Sequence, residues 1–284
     1  MTTTAKLHDG SDLEVTVLGE GPAVLLPVSL AVVDEATAEQ MRAWGAQPDL
    51  GPALAHGLAD AGHRVIVADY EGHRAAHPAG PTLTADAVAT DLLAIADAAG
   101  AHEFAYYGYS WLALSGLQLA IRTDRLTGLA MGGFPPLGGP YGPMLAVTRA
   151  AHRMATENAG RVRPDQSEIE PGDWDAAVVT QTPEQTRQYV TLYESLRDFD
   201  ERAALDGLKI PRLAFAGQDD AIDYGPQWGN VRVELGPPLA HHRAELEQQG
   251  WTVEVVPGDH MTAMRTTTAL PILTTWLTTL GPGR

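Results

Sequence analysis

Apolar and polar positions along the chain fall into blocks that switch between a period near two and one near 3.6. Thr3 to His8 and Leu13 to Leu18 flank Asp9-Gly10-Ser11, which predicts a hairpin whose glycine takes positive φ. Ala23 to Val28 and His63 to Asp69 are apolar runs that predict central strands buried on both faces. The connection from Ser29 to about Asp49 holds a candidate short helix, with Asp34 as cap and Met41 and Trp44 on one side. Helical spacing follows from Leu50 to Ala61 and from Ala85 to Ala99, closed by Gly62 and Gly100. Tyr70 to Arg74 reads as a loop at the end of the second buried strand.

Further strands are expected at 103–109, Leu126 to Met131, Arg212 to Gly217 and Trp251 to Val256. Helices are expected after Ser110, over 238–249 and over roughly 262–280, with Pro271 near the start of the last or at a kink. Residues 219–237 read as loop. Between Met131 and Arg212 the character changes. Phe134 to Pro143 is too rich in proline and glycine for regular structure, and helical stretches at 144–158 and 183–205 flank a polar segment containing Pro164, Pro171 and Trp174. The alternation of strands and helices predicts an α/β doubly wound sheet. Its core comprises residues 1–133 and 208–284, and 134–207 form a mainly helical cap.

Composition narrows the function classes. A net charge of -17 argues against nucleic acid, whose phosphates would be repelled. With no cysteine, disulfides, thiolate catalysis and cysteine-ligated metals are excluded. Met1 to Lys6 lacks a charged segment followed by an apolar core, and no apolar run approaches a membrane span. The expectation is a soluble cytoplasmic protein with no membrane partner. No metal or cofactor is implied, and His241-His242 read as a solvated helix face. Nothing in the sequence decides the oligomeric state.

The candidate chemistry sits at strand ends, where open α/β sheets bind their ligands. Ser110 follows strand 103–109 and precedes an apolar helix, with Gly108 two positions before it. This is the outline of a nucleophile elbow, a strained turn that exposes a serine hydroxyl. Asp219 and Asp220 follow the strand at 212–217, and His260 follows the strand at 251–256. A serine needs a base to take its proton, which a histidine can do near neutral pH. A carboxylate must hold the other imidazole nitrogen. Asp219, Asp220 and, more distantly, Asp223 compete for that role. The Trp111 amide, at the start of the following helix, is placed to bind an oxyanion. A second donor should come from the loop after strand 23–28. Pro27 has no amide hydrogen, which leaves Val28 or Ser29, and Ser29 is preferred.

Gly108-Tyr109-Ser110-Trp111, Gly217-Gln218-Asp219-Asp220 and Pro257-Gly258-Asp259-His260 together resemble the α/β-hydrolases with a cap, over essentially the whole chain. A looser match is Asp69-Tyr70-Glu71-Gly72-His73, and Pro271 falls where that family often has a proline. The resemblance implies a triad of Ser110, Asp220 and His260, since Asp220 stands three residues after the glycine. Two departures are visible. Leu112 replaces the usual second glycine of the elbow, and Pro27-Val28 replaces the usual His-Gly. Within the family, Gly108 to Ala113, Asp69 to His73 and Met131 to Pro136 are similar to serine-dependent macrolide esterases. The implied activity is hydrolysis of an ester or lactone of a bulky small molecule, in the finest form a macrolide. Val28, Tyr109, Glu71, His73, Phe134 and Trp174 are the candidate substrate contacts, although core packing would account equally for Tyr109 and Trp174. A general carboxylesterase, a C–C bond hydrolase or lyase, and a non-catalytic binding protein are the alternatives.

Overall fold

The computed structural model describes residues 1–160 and 179–281. Its strands are β1 Thr2–Lys6, β2 Asp12–Leu18, β3 Ala23–Leu26, β4 Arg64–Val67 and β5 Phe104–Tyr109, then β6 Leu126–Gly132, β7 Arg212–Gly217, β8 Ala221–Tyr224, β9 Val231–Glu234 and β10 Trp251–Val256. Eight of them form one sheet in the order β1-β2-β4-β3-β5-β6-β7-β10, and β8 pairs with β9 separately. In the large sheet β2 runs antiparallel to β1 and β4, and the remaining pairs are parallel.

Side chains of the central strands alternate between two apolar layers, as the pleat requires. Leu25, Ile66, Phe104 and Tyr106 face a layer shared with helices Ala85–Ala98 and Trp111–Ala120. Val24, Leu26, Val65 and Tyr107 face the layer shared with helices Leu50–Asp60 and Thr266–Leu277. Helices cover both faces, and this is why the strands read as unbroken apolar runs. Leu25 and Ile66 are fully buried, so truncating either to alanine would cost about 2–5 kcal/mol.

The connectivity also decides where the site lies. After β3 the chain leaves for β4 on one side, and after β5 it leaves for β6 on the other. The carboxyl ends of β3 and β5 therefore flank the switch point at which such sheets bind ligands. Pro27 to Ser29 and Ser110 emerge there. Among the described residues no helix is long and apolar enough to cross a membrane.

Several elements differ from the sequence pattern. Tyr70 to Arg74 is not a loop but part of a helix, Tyr70–Ala76, because the Asp69 carboxylate accepts from the Gly72 amide and caps it. Residues 219–237 contain the β8–β9 hairpin. Its strands are four residues each, too short to show alternation, and Gly229 and Asn230 turn the chain with positive φ. The stretch 183–205 is two helices, Pro183–Ser195 and Glu201–Gly207, the second started by Asp200 accepting from the Ala203 amide. Likewise 238–249 divides into Gly236–His241 and Arg243–Gln248, and 262–280 into His260–Met264 and Thr266–Leu277, with Pro271 inside the last. The helix expected at 144–158 begins earlier, at Tyr141, since Pro143 fits a first turn whose amides need no intrahelical partner.

Candidate active site

Ser110 caps the helix Trp111–Ala120 with φ 57° and ψ -128°. A non-glycine residue held there costs about 1–3 kcal/mol, so the surroundings must impose it. Three contacts do so. The Ser110 amide donates to the Gly132 carbonyl at 2.8 Å, and the Ser110 carbonyl accepts from Ala113 and Leu114 at 2.9 and 3.2 Å. Gly108 lets the helix press onto the strand: a Cβ there would overlap the Leu112 carbonyl. That same carbonyl accepts the Tyr106 hydroxyl at 2.8 Å, which locks the turn from beneath.

Asp220 and His260 arrive from the ends of β7 and β10. Asp220 is 1% exposed, and its Oδ2 lies 2.7 Å from His260 Nδ1. An ionised carboxylate can only accept, so Nδ1 carries the proton and Nε2 is left with a lone pair. The Asp220 carbonyl accepts the Leu235 and Gly236 amides at 2.9 and 3.0 Å, which pins the turn. Neither competing acid touches the histidine. Asp219 is exposed and contacts Gln218, and Asp223 accepts from Arg232 at 2.6 Å. Tyr109 adds a contact that the sequence did not suggest. Its hydroxyl donates to the His260 carbonyl at 2.7 Å, and the two rings stand edge to face at 4.9 Å. Burial, aided by Asp220 and Tyr107, keeps that phenol far above its ordinary pKa and hence a permanent donor. Gly133, at φ 61°, completes the wall, since a Cβ there would meet the Tyr109 ring and His260 Cε1.

Ser110 and His260 open on one cavity of about 490 Å³. No Oγ–Nε2 hydrogen bond is formed between them in this geometry, a common state of such pairs before substrate arrives. Trp111 and Ser29 line the cavity too. The Val28 amide is already donated to the Leu26 carbonyl at 3.0 Å, whereas the Trp111 and Ser29 amides have no acceptor among the described residues. The Ser29 hydroxyl instead accepts from the Ala31 amide at 3.2 Å and shapes the loop.

Of the expected substrate contacts, Val28, Tyr109 and Glu71 line this cavity. Glu71 accepts the Trp111 indole N–H at 3.0 Å. It keeps accessible surface because it faces the open cavity, yet surrounding protein strips much of its water. That desolvation raises its carboxyl above the ordinary range; the Trp111 bond opposes the rise and the Asp69 charge adds to it. His73 and Phe134 do not join the site. His73 Nε2 lies 2.8 Å from the Ser11 hydroxyl, because the helix Tyr70–Ala76 turns it toward the β1–β2 hairpin. Phe134 is 2% exposed and packs edge to face on Tyr141. Trp174 lies outside the described residues. The sequence reading missed Met41, Met261 and Met264 as wall residues. The adjacency of Met261 to His260 was the available signal.

No protein-family model matches the chain, and no curated protein matches its sequence. Solved structures match its shape. An enol-lactonase from Burkholderia xenovorans superposes with a TM-score of 0.60 at 22% identity, over 97% of this chain and 99% of its own. An esterase from Thermogutta terrifontis gives 0.57 at 19%, over 99% and 98%. Epoxide hydrolase A from Mycobacterium thermoresistibile gives 0.58 at 18%, over 100% and 99%. The chain has the α/β-hydrolase fold. At these identities the likeness is one of fold, and chemistry has to come from the residues themselves.

Proposed function

We propose that this protein is a serine hydrolase that cleaves a carboxylic ester or lactone through an acyl-enzyme. The observation that carries the proposal is the Asp220–His260 contact at 2.7 Å, opening on the same cavity as a serine held at positive φ. In this reading His260 Nε2 takes the Ser110 proton as Oγ attacks the ester carbonyl. Nε2 then returns that proton to the leaving alkoxide as the C–O bond breaks. Water, deprotonated by the same nitrogen, attacks the acyl-enzyme; the acid departs and Oγ regains its proton. The Trp111 and Ser29 amides bind the oxyanion in both steps. Asp220 holds the tautomer and stabilises the imidazolium.

Residues 134–207 act as a helical cap on a core of 1–133 and 208–284. That division is supported by the three helices Tyr141–Glu157, Pro183–Ser195 and Glu201–Gly207 that lie between β6 and β7 in the chain. The finer proposal is ring-opening of a macrolide. It is supported by the motif resemblance and by a largely apolar cavity, into which a macrolactone would place its ester edge while its sugars stay outside. Names of similar folds, an enol-lactonase and an esterase, agree with lactone or ester chemistry.

Labelling of Ser110 by a fluorophosphonate, with turnover of a p-nitrophenyl ester abolished in Ser110→Ala, is the expected result. Absence of both label and turnover would overturn the hydrolase reading. Incubation with macrolides and mass detection of one added water tests the finer form, which fails if active enzyme leaves every macrolide intact.

A further inference from the structure

The cavity has an uneven charge. Among its described lining residues there is no lysine or arginine, while Asp69 and Glu71 both contribute carboxylates. Most other polar side chains there are already committed. Asp69 Oδ1 accepts the Gly72 amide, and the Tyr109 hydroxyl is given to the His260 carbonyl. Gln47 Oε1 accepts both the amide and the hydroxyl of Thr266, and its Nε2 donates to Asp49. Glu71 differs. Its one protein partner among the described residues is the Trp111 indole, which donates to Oε1 at 3.0 Å, so Oε2 is unpaired. Trp111 follows Ser110 directly, and the carboxylate lines the same cavity as Ser110.

Resting on the hydrolase reading, we propose that Glu71 is a specificity residue: it makes the cavity prefer substrates bearing a cationic nitrogen and turn away carboxylates. An ionised carboxylate that has lost much of its water gains from a cationic partner and repels an anion. Desolvation raises the Glu71 carboxyl, the neighbouring Asp69 charge adds to the rise, and among the described residues no lysine or arginine lines the cavity to oppose it. The Trp111 indole beside it offers an aromatic surface for a quaternary or protonated nitrogen. A net charge of -17 draws cations toward the mouth at low ionic strength and repels anions.

The test compares butyrylcholine with 3,3-dimethylbutyl butyrate, which replaces the charged nitrogen by carbon and changes little else. Wild type should show a kcat/KM ratio favouring butyrylcholine by about ten- to a hundredfold at low salt, and less at high salt. In Glu71→Gln, which keeps an acceptor for the Trp111 indole, the ratio should fall toward one. Glu71→Asp should retain part of it. Monobutyl succinate should be the poorest ester for wild type and should gain relative to the neutral ester in Glu71→Gln. A wild-type ratio near one, or a ratio unchanged in Glu71→Gln, would overturn the proposal while leaving the hydrolase reading intact. If no ester is turned over and Ser110 takes no fluorophosphonate, the hydrolase reading is the one that fails. Glu71 is then judged from the dissociation constants of the same two esters by calorimetry. Preference for butyrylcholine that disappears in Glu71→Gln supports the proposal, and equal wild-type affinities overturn it.

Discussion

Replacing Asp220 by asparagine separates the proposed triad from a fold that merely resembles one. The native carboxylate can only accept, so it holds the His260 proton on Nδ1, 2.7 Å away. An amide at the same place can donate to Nδ1 instead. That selects the opposite tautomer and puts the proton on Nε2, where it blocks transfer from Ser110. Inverting a catalytic histidine in this way costs about 10⁴-fold in kcat, equivalent to about 5 kcal/mol at roughly 1.4 kcal/mol per tenfold. The expected loss in Asp220→Asn is therefore about 10³- to 10⁴-fold in kcat, with KM changed by less than about threefold. Steady-state kinetics on a short nitrophenyl ester measures both, and a thermal melt shows whether the fold survives. Asp219→Asn supplies the contrast. Asp219 is exposed and its carboxylate accepts only from the Gln218 side chain among the described residues, at 3.3 Å, so kcat of that variant should stay within about twofold of wild type. Wild-type kcat in Asp220→Asn, or the same loss in Asp219→Asn, would refute this assignment.

Three further outcomes follow from the packing. Arg74 is fully buried and donates to Asp9 and to the Ser11 hydroxyl, each at 2.9 Å; Arg74→Met should lower stability by about 3 kcal/mol, read from urea denaturation. Burial alone would raise the Asp9 carboxyl, but hydrogen bonds from Ser11 and Arg74 outweigh it and hold the group below its usual 3.8. Because the folded value lies below the unfolded one, this stabilisation is full above about pH 4 and is lost as pH falls through the folded value. Asp9→Asn should accordingly flatten the acid limb of a plot of melting temperature against pH, and an unchanged limb would contradict it. Leu112 is 6% exposed and lines the cavity together with Val28. Leu112→Gly should shift preference toward bulkier acyl chains, and an unaltered chain-length profile would mean that the two departures from the family pattern are unrelated.

The sheet was legible because its strands are covered on both faces, and burial on both faces writes itself into the chain as apolar runs. Leu25 and Ile66 point one way while Val24 and Val65 point the other, and all four are apolar. Ser110 was legible for a different reason, since a tight elbow needs Gly108 two residues earlier. Elements built on a single polar contact were not. The Tyr70–Ala76 helix depends on one Asp69 carboxylate accepting the Gly72 amide. Reading that stretch as a loop left His73 beside Glu71 in the site, whereas the helix sends Glu71 to Trp111 and His73 to Ser11. Asp220 was preferred over Asp219 only through the family spacing after Gly217, and the fold supplies the physical reason: the turn after β7 buries Asp220 against His260 and leaves Asp219 exposed.

The cavity wall is drawn from several separate segments. The described residues that line it come from 26–54, 69–72, 107–112 and 260–264, and none comes from 134–207. Residues between Ser29 and Asp49 therefore form part of the wall, and the proposed second oxyanion donor, Ser29, lies at the start of that stretch. Its far end is tied to the neighbourhood of His260. Arg265 donates to the Gly45 carbonyl at 3.0 Å, and the Thr266 amide donates to Gln47 at 2.9 Å. One continuous stretch thus joins the proposed oxyanion donor to the segment that follows His260. In the proposed mechanism residues 29–49 thus link one wall of the cavity to the oxyanion donor, whereas the helices of 134–207 reach the elbow at another point, where Tyr189 packs edge to face on the Trp111 ring at 5.5 Å.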